Sequence, residues 1–394
     1  MSAEWVGKVL AGQFRIDSLL SRTETGSIFS AAYIGVDLKR NIPVVLKILP
    51  FNQDTNPVWV NSFEQQINKI KSLDRVDLLS YFGLYQTNRF SFLVRNFVEG
   101  LSLQNYLEEN LFKPIPPGKI LSLVRLLSST LGYAHEHGVI HANLKPSNII
   151  ITPVGSISLV DFNLNLQIKN GTDLHLPVKA PVYLAPEQFI NQPVTPATDI
   201  YALGVILYEL ITFQKPFRGS HPASAQAGEA TWERIRYEHL RQVPPDPVAY
   251  NRDLSPQVAD VILKTLEKNP SLRYLEILHL FEDLCQAYAV FPESVPDRIV
   301  FEGMPIFNDA VPLISDSSGL IHAIQPPTNL PPDEKTLPVS KKELWERPIK
   351  RKTIIARPPK RKNQIPRWLI GFLIFALLIG VFGIITIVLL ILNY

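Results

Sequence analysis

The spacing of apolar residues divides the first 300 residues into two parts. Before about Gly100, short runs rich in β-branched and aromatic residues alternate with polar turns, as at Ile42–Leu49 and 90–94. Such runs predict β-strands. After Gly100, apolar residues recur at helical spacing in longer stretches, at 119–137, 197–213 and 255–266. The pattern therefore predicts an α+β fold with a β-rich N-terminal lobe and a helical C-terminal lobe.

A different pattern ends the chain. Residues 368–392 include no charged side chain, and a helix of that length spans roughly 37 Å, more than the roughly 30 Å hydrocarbon core of a bilayer. We therefore predict one C-terminal transmembrane helix. Only two residues follow it, so we expect a C-terminal anchor in a single-pass membrane protein.

Charge predicts the orientation of this anchor. Residues 341–367 hold eleven Lys or Arg and two Glu, although the whole chain carries only +3. Positively charged flanks stay in the cytoplasm, so we expect the large N-terminal part to be cytoplasmic. This basic juxtamembrane segment also predicts anionic membrane lipids as partners. Nucleic acid is not expected as a partner, because the basic run adjoins the predicted span.

The segment 289–340 is rich in proline, which resists helix formation and favours an extended linker. The chain has one cysteine, Cys285, so no intrachain disulfide can form and an intracellular protein is expected. The first residues lack the basic start and apolar stretch of a signal peptide.

Candidate chemistry lies in a set of short motifs. Residues 141–148 read H-A-N-L-K-P-S-N, and twenty residues after His141 comes the triplet D-F-N that begins at Asp161. Lys47 ends a V-V-L-K run, and an A-P-E triplet ends at Glu187. Two further positions are Asp199, in D-I-Y-A-L-G, and Arg273, in N-P-S-L-R-Y.

In this order and spacing, the motifs resemble those of protein kinases, and Lys145 with Pro146 resembles the serine/threonine branch. The whole set of motifs is similar to that of bacterial membrane-attached Ser/Thr kinases. The resemblance covers residues 13–288 and implies a two-lobed fold, with an N-lobe at 13–99 and a C-lobe at 100–288. It also implies ATP and Mg²⁺ as ligands.

The resemblance assigns roles to individual positions. The catalytic positions are Asn143, where the family has aspartate, and Lys145, and the metal-binding positions are Asn148 and Asp161. Structural roles fall on His141, Phe162, Glu187, Asp199 and Arg273; Asp199 would brace the catalytic loop and Arg273 would pair with Glu187. The nucleotide-binding positions are Gly26, Ile28, Val45, Lys47, Gln66, Arg95 and Val98.

Several of these positions depart from the family pattern around the nucleotide. Ser21 and Thr23 replace two glycines of the phosphate-covering loop, which keeps only Gly26. Their side chains obstruct the close backbone approach that phosphate binding requires. Gln66 stands where the family has the glutamate that pairs with Lys47, and a glutamine cannot neutralise a lysine.

Arg95 and Val45 alter the pocket itself. Val45 adds bulk where the family has alanine against adenine. Arg95 occupies the usually apolar position at the back of the site, where a cation conflicts with a standard nucleotide pose. In a shifted strand, Arg95 would instead point to solvent. Asn163 replaces the glycine of D-F-G and is the mildest change.

The departures at the catalytic centre are the most serious. Asn143 cannot accept a proton at neutral pH, and Ala180 replaces the threonine that would bridge the missing aspartate to Lys145. Ala142 replaces the arginine that would read a phosphate on the activation segment, so phosphorylation of Thr172 is not expected to switch the protein.

The sequence therefore predicts a membrane-tethered pseudokinase that acts as a signalling scaffold or allosteric partner and retains possible ATP and Mg²⁺ ligands. Two alternatives remain open, a weakly active Ser/Thr protein kinase and a nucleotide-free scaffold whose pocket is filled by Val45 and Arg95. Its protein partners and substrates are unknown from sequence.

Overall fold

The computed structural model describes residues 5–25, 28–49, 57–73, 75, 77–78, 81–87, 90–110, 113–162, 181–228 and 230–300, with the side chains of 22–30 and 57–63 left out. The chain divides into two compact units, Met1–Leu313 and Ile314–Tyr394. All described residues belong to the first unit.

The N-terminal lobe is built on an antiparallel sheet of six strands in the order β1-β2-β3-β4-β6-β5. The strands are β1 (Val9–Leu10), β2 (Phe14–Thr25), β3 (Ile28–Asp37), β4 (Ile42–Leu49), β5 (Tyr81–Gln86) and β6 (Ser91–Asn96). One helix, α1 (Pro57–Lys71), precedes β5. The predicted strands at Ile42–Leu49 and 90–94 correspond to β4 and β6, because both carry β-branched or aromatic residues on two covered faces.

The C-terminal lobe is mainly helical. Its helices are α2 (Leu103–Glu109), α3 (Pro117–Glu136), α4 (Pro186–Phe189), α5 (Pro196–Thr212), α6 (Thr231–Arg241), α7 (Pro256–Thr265) and α8 (Ile277–Ala287). A small antiparallel sheet of β7 (Leu101–Ser102), β8 (Ile149–Ile151) and β9 (Ile157–Leu159) lies at the start of this lobe. The three helices expected at 119–137, 197–213 and 255–266 are α3, α5 and α7.

The central helix α5 is buried along most of its length. It begins after Thr195 with proline at its first position, which suits the fixed φ of proline. Within it, Gly204 allows a close approach of α7, since a Cβ at this position would overlap the Thr265 side chain. This packing makes α5 a rigid support for the loops above it.

The folded unit extends beyond the boundaries 13 and 288 that the sequence suggested. At the N-terminal end, Leu10 of β1 is buried. At the C-terminal end, Val295 and Ile299 are buried, and the Ile299 backbone N–H donates to the Gly155 carbonyl at 2.7 Å. The prediction that a linker starts at residue 289 was therefore wrong, because two apolar residues among the prolines pack on the core. The described structure ends at residue 300.

Among the described residues, no helix is long and apolar enough to cross a membrane. The predicted span at 368–392, the basic segment at 341–367 and the rest of the linker lie outside the described residues.

Candidate active site

Strand alternation builds the face of the sheet that looks toward the C-terminal lobe. On β4, Val44, Leu46 and Ile48 belong to the core of the N-terminal lobe. The intervening residues Val45 and Lys47 therefore face the opposite side, the cleft between the lobes. On the neighbouring strand, Arg95 pairs in register with Val45, so it shares this cleft face.

Lys47 reaches across the cleft to the C-terminal lobe. Its Nζ lies 3.1 Å from Oδ2 of Asp161, which follows β9. Asp161 has φ 61°, a backbone conformation that non-glycine residues rarely adopt. Such strained residues persist where the surrounding structure over-determines them, which is common at functional sites. The same is true of Ala142, with φ 52°.

Arg95 contacts the same carboxylate. Its Nε lies 3.7 Å from Oδ1 of Asp161, and its Nη1 donates to the Asn96 carbonyl at 3.1 Å. The side chain is only 12% exposed. The structure thus places Arg95 at the back of the cleft near Lys47, and the alternative in which it points to solvent does not hold.

These cations keep Asp161 ionised. Burial opposes ionisation, but the charges of Lys47 and Arg95, the hydrogen bond from Lys47 and the charge of Lys145 outweigh it and hold the pKa of the Asp161 carboxyl well below its usual range. The site is therefore a carboxylate surrounded by cations.

The loop 141–148 forms a closed set of hydrogen bonds beside Asp161. The Asn143 side-chain Nδ2 donates to the Asp161 carbonyl at 3.0 Å, and the Asn148 Nδ2 donates to the Asn143 carbonyl at 2.8 Å. His141 accepts from the Asn143 backbone N–H through Nδ1 at 3.2 Å, and its Nε2 lies 3.2 Å from the Val160 carbonyl. Asn143 is therefore held next to Asp161 by its amide group.

His141 is neutral in this arrangement. One ring nitrogen accepts a hydrogen bond and the other faces a carbonyl oxygen, which fits the tautomer with the proton on Nε2. Burial lowers the pKa of His141 to about 4, despite the nearby charge of Asp199. Its ring also packs on Phe162, with 4.2 Å between ring centroids.

Asp199 supports the loop from α5. Its carboxylate accepts the backbone N–H groups of His141 and Ala142, each at 2.8 Å, and lies 2.8 Å from Nε2 of His135. This is the bracing arrangement that the resemblance implies. The aspartate is buried, so these contacts fix the loop on a rigid helix.

A buried ion pair lies in the same lobe. Arg273 Nη1 and Nη2 contact the two carboxylate oxygens of Glu187 at 2.8 and 2.9 Å. Both side chains are essentially inaccessible to solvent. The guanidinium also donates to backbone carbonyls, so the pair joins the A-P-E segment to the loop after α7.

Sequence reasoning missed two further residues near the site. Gln188 is buried, and its side chain donates to the Ala142 carbonyl at 2.8 Å and accepts from the Ala185 N–H at 3.0 Å. Tyr81 pairs in register with Arg95 on the cleft side, and burial, followed by the charge of Asp161, raises its pKa. No sequence signal marks either residue, because glutamine in a helix and tyrosine in a strand are ordinary.

Three of the remaining predicted positions lie within the described residues. Gln66 is exposed on α1 and Val98 is half-buried just after β6. Ile28 begins β3, but its side chain is not described. Four positions lie outside the described residues, namely Gly26, Asn163, Thr172 and Ala180.

Comparison with known proteins decides the family. Residues 25–284 match the family described as protein kinase domain. The chain belongs to the protein kinase family. This range contains both the cleft and the buried ion pair described above, from Lys47 to Arg273.

The relatives of this kinase-family chain include bacterial serine/threonine-protein kinases. It is 28% identical over 318 residues to the serine/threonine-protein kinase PrkC of Bacillus subtilis (strain 168), which covers 79% of this chain and 46% of PrkC. It is 25% identical over 291 residues to the serine/threonine-protein kinase PknB of Mycobacterium tuberculosis (strain ATCC 25618 / H37Rv), covering 71% of this chain and 45% of PknB. The chain thus spans less than half the length of these curated relatives.

A solved structure shows the same fold. The crystal structure of the Mycobacterium tuberculosis PknI kinase domain superposes with a TM-score of 0.55 at 19% identity, covering 72% of this chain and 98% of that domain. At this identity the likeness establishes the two-lobed kinase fold alone.

Protein kinases generally use ATP and Mg²⁺, and the residues present suit the two ligands differently. Lys47 and Lys145 are cations that act on Asp161 in the cleft, which suits the anionic phosphates of a nucleotide. The metal does not fit Asp161, because Lys47 and Arg95 each face one of its carboxylate oxygens, at 3.1 and 3.7 Å. Asn148 can offer a metal only its side-chain oxygen Oδ1, because its amide nitrogen donates to the Asn143 carbonyl.

Proposed function

We propose that this protein is a pseudokinase, a protein with the kinase fold that holds a nucleotide in its cleft without efficient phosphoryl transfer. The observation that carries the proposal is Asn143. At the position of the proton acceptor, this residue presents an amide whose nitrogen donates to the Asp161 carbonyl at 3.0 Å.

The amide at position 143 is expected to lower the rate of phosphoryl transfer. An amide cannot take the proton of an incoming hydroxyl group at neutral pH, whereas a carboxylate can. General-base assistance typically contributes 10² to 10⁴ in rate, or roughly 3 to 5 kcal/mol. The arginine at the back of the cleft adds a second obstacle, because it takes up a contact on Asp161.

A role without catalysis accounts for the contacts typical of the family that this structure retains. Asp199 still braces the loop 141–148, and Arg273 still pairs with Glu187. These contacts maintain the shape of the C-terminal lobe. We therefore infer that the lobe presents a docking surface to protein partners as a signalling scaffold or allosteric partner.

We further propose that this surface is held at the cytoplasmic face of a membrane. The support is sequence alone: an uncharged run at 368–392 preceded by eleven basic residues in 341–367. The basic segment would bind anionic lipid headgroups. A version ending at Arg367 should bind acidic vesicles at low salt and lose binding at high salt. Absence of low-salt binding would refute the lipid contact.

The test of the pseudokinase proposal is phosphate transfer from labelled ATP by the full chain in detergent, to itself and to a generic basic protein. Wild type and Lys47→Met should give the same background rate. A wild-type rate that Lys47→Met abolishes would overturn the proposal.

A second candidate, a weakly active Ser/Thr protein kinase, is favoured by the contact between Lys47 and Asp161 and by the supported loop. Phosphoryl transfer depends mainly on positioning and electrostatics. Asn143→Asp distinguishes the two candidates. If this substitution raises turnover by about a decade or more, the cleft is poised for transfer and the weak kinase is supported. Unchanged background supports the pseudokinase.

The nucleotide-free scaffold is favoured by the position of Arg95 inside the cleft. An ATP titration separates it from the proposed nucleotide-binding protein. No binding to wild type, but binding to Arg95→Met or Val45→Ala, would favour the scaffold.

A further inference from the structure

Asp161 carries a cation on each of its carboxylate oxygens. Lys47 Nζ lies 3.1 Å from Oδ2, and Arg95 Nε lies 3.7 Å from Oδ1. The backbone carbonyl of the same residue accepts from Asn143. The chain itself therefore supplies the positive charge that a metal ion would bring to this carboxylate.

Strand pairing and a hydrogen bond hold Arg95 in this position. It lies at the end of β6, between β4 and β5, and pairs in register with Val45 on one side and Tyr81 on the other. Its Nη1 is anchored by the Asn96 carbonyl at 3.1 Å, and its side chain is only 12% exposed. Withdrawal of the guanidinium from Asp161 would require a different side-chain rotamer and loss of the contact with the Asn96 carbonyl.

The charge balance around Asp161 favours an anionic ligand. Lys47, Arg95 and Lys145 all act electrostatically on this one carboxylate. The cluster is thus two charges positive before any ligand enters. A divalent cation placed there would meet three like charges, whereas a polyphosphate would meet partners of opposite sign.

Metal geometry points the same way. Mg²⁺ requires oxygen ligands at about 2.0–2.1 Å in a nearly octahedral arrangement. An ion at that distance from Asp161 would compete with Lys47 and Arg95 for the two carboxylate oxygens.

We propose that Arg95 takes the place of the divalent cation on Asp161, so that the cleft binds a nucleoside triphosphate as the metal-free anion. The inference rests on the proposed binding of nucleotide. It names Arg95 as the residue that sets which form of the nucleotide is bound.

The test is a calorimetric titration of ATP into the full chain in detergent, with excess EDTA or with excess MgCl₂. For wild type, the dissociation constants in the two conditions should agree within about threefold. Arg95→Met should bind at least about tenfold more weakly in EDTA, and MgCl₂ should restore at least about tenfold in affinity. Arg95→Lys, which keeps the charge, should stay independent of the metal.

Arg236→Met is the matched control, since Arg236 is an exposed arginine on α6 in the other lobe. It should behave as wild type. Circular dichroism melts should show that every variant is folded. If Arg95→Met does not fold, the comparison of wild-type binding in EDTA and in MgCl₂ still tests the inference.

The outcomes separate this inference from the proposed function. Wild-type binding that needs MgCl₂ would overturn the inference and leave a nucleotide-binding pseudokinase in place. No binding in either condition would overturn both the inference and the nucleotide part of the proposed function. Metal-independent binding together with Lys47-dependent phosphate transfer would support the inference and refute the pseudokinase.

Discussion

Removal of Arg273 gives the sharpest stability prediction for the C-terminal lobe. The Arg273 and Glu187 side chains are 0% and 2% exposed, and two contacts of 2.8 and 2.9 Å join them. Arg273→Met leaves the Glu187 carboxylate buried with only the hydroxyl of Thr198, at 2.8 Å, among its described hydrogen bonds. Loss of one partner from such a pair costs about 3–5 kcal/mol, because a buried charge is left uncompensated.

The measurement is the free energy of unfolding by urea, followed by circular dichroism, on the compact unit Met1–Leu313. Lys264→Met is the matched control. Its contact with Asp283 is 3.5 Å long, and the two side chains are 47% and 43% exposed. An exposed pair of this kind contributes at most about 1 kcal/mol.

A double variant tests the cause. If the uncompensated charge is responsible, Glu187→Gln should recover part of the stability that Arg273→Met loses, since it removes the charge as well. A loss below about 1 kcal/mol for Arg273→Met, or an additive double variant, would refute the reasoning.

The other predictions concern pH, the catalytic loop and the membrane. The pKa of His141 is about 4 in the folded protein, and its ordinary value is 6.5. Between these pH values the unfolded chain therefore binds more protons than the folded chain. The contribution of His141 to stability should be complete above pH 6.5, and up to about 3 kcal/mol of it should be lost as the pH falls to 4. The slope of unfolding free energy against pH should be shallower for His141→Asn, and an equal slope would contradict the prediction. Gln188→Leu leaves the buried Ala142 carbonyl without that donor and should cost about 1–3 kcal/mol in urea unfolding, whereas the exposed Gln286→Leu should cost almost nothing. Deletion of 368–392 should move the protein from the membrane to the soluble fraction on cell fractionation; retention in the membrane would exclude this span as the sole anchor.

Much of the fold follows from local patterns. The β-branched and aromatic runs in β4 and β6 placed both strands correctly, because two covered faces require apolar residues at nearly every position. Helical spacing located α3, α5 and α7 within a few residues. The end of the domain was less well predicted. Prolines after residue 288 indicated a linker, yet Val295 and Ile299 pack on the core, and no local signal distinguishes an apolar residue that packs from one that does not.

The sequence by itself determined which chemical groups are present. It shows an amide at position 143, an arginine at position 95 and a basic run before an apolar segment, and these need no coordinates to be read.

Only the tertiary structure decided what those groups contact. Lys47 and Asp161 are 114 positions apart in sequence, and Glu187 and Arg273 are 86 apart. Arg95 meets the same aspartate because the two lobes pack so that a strand end faces the loop after β9. Alternation assigns a side chain to a face, but its partner depends on how separate elements pack, and that is a property of the folded chain as a whole.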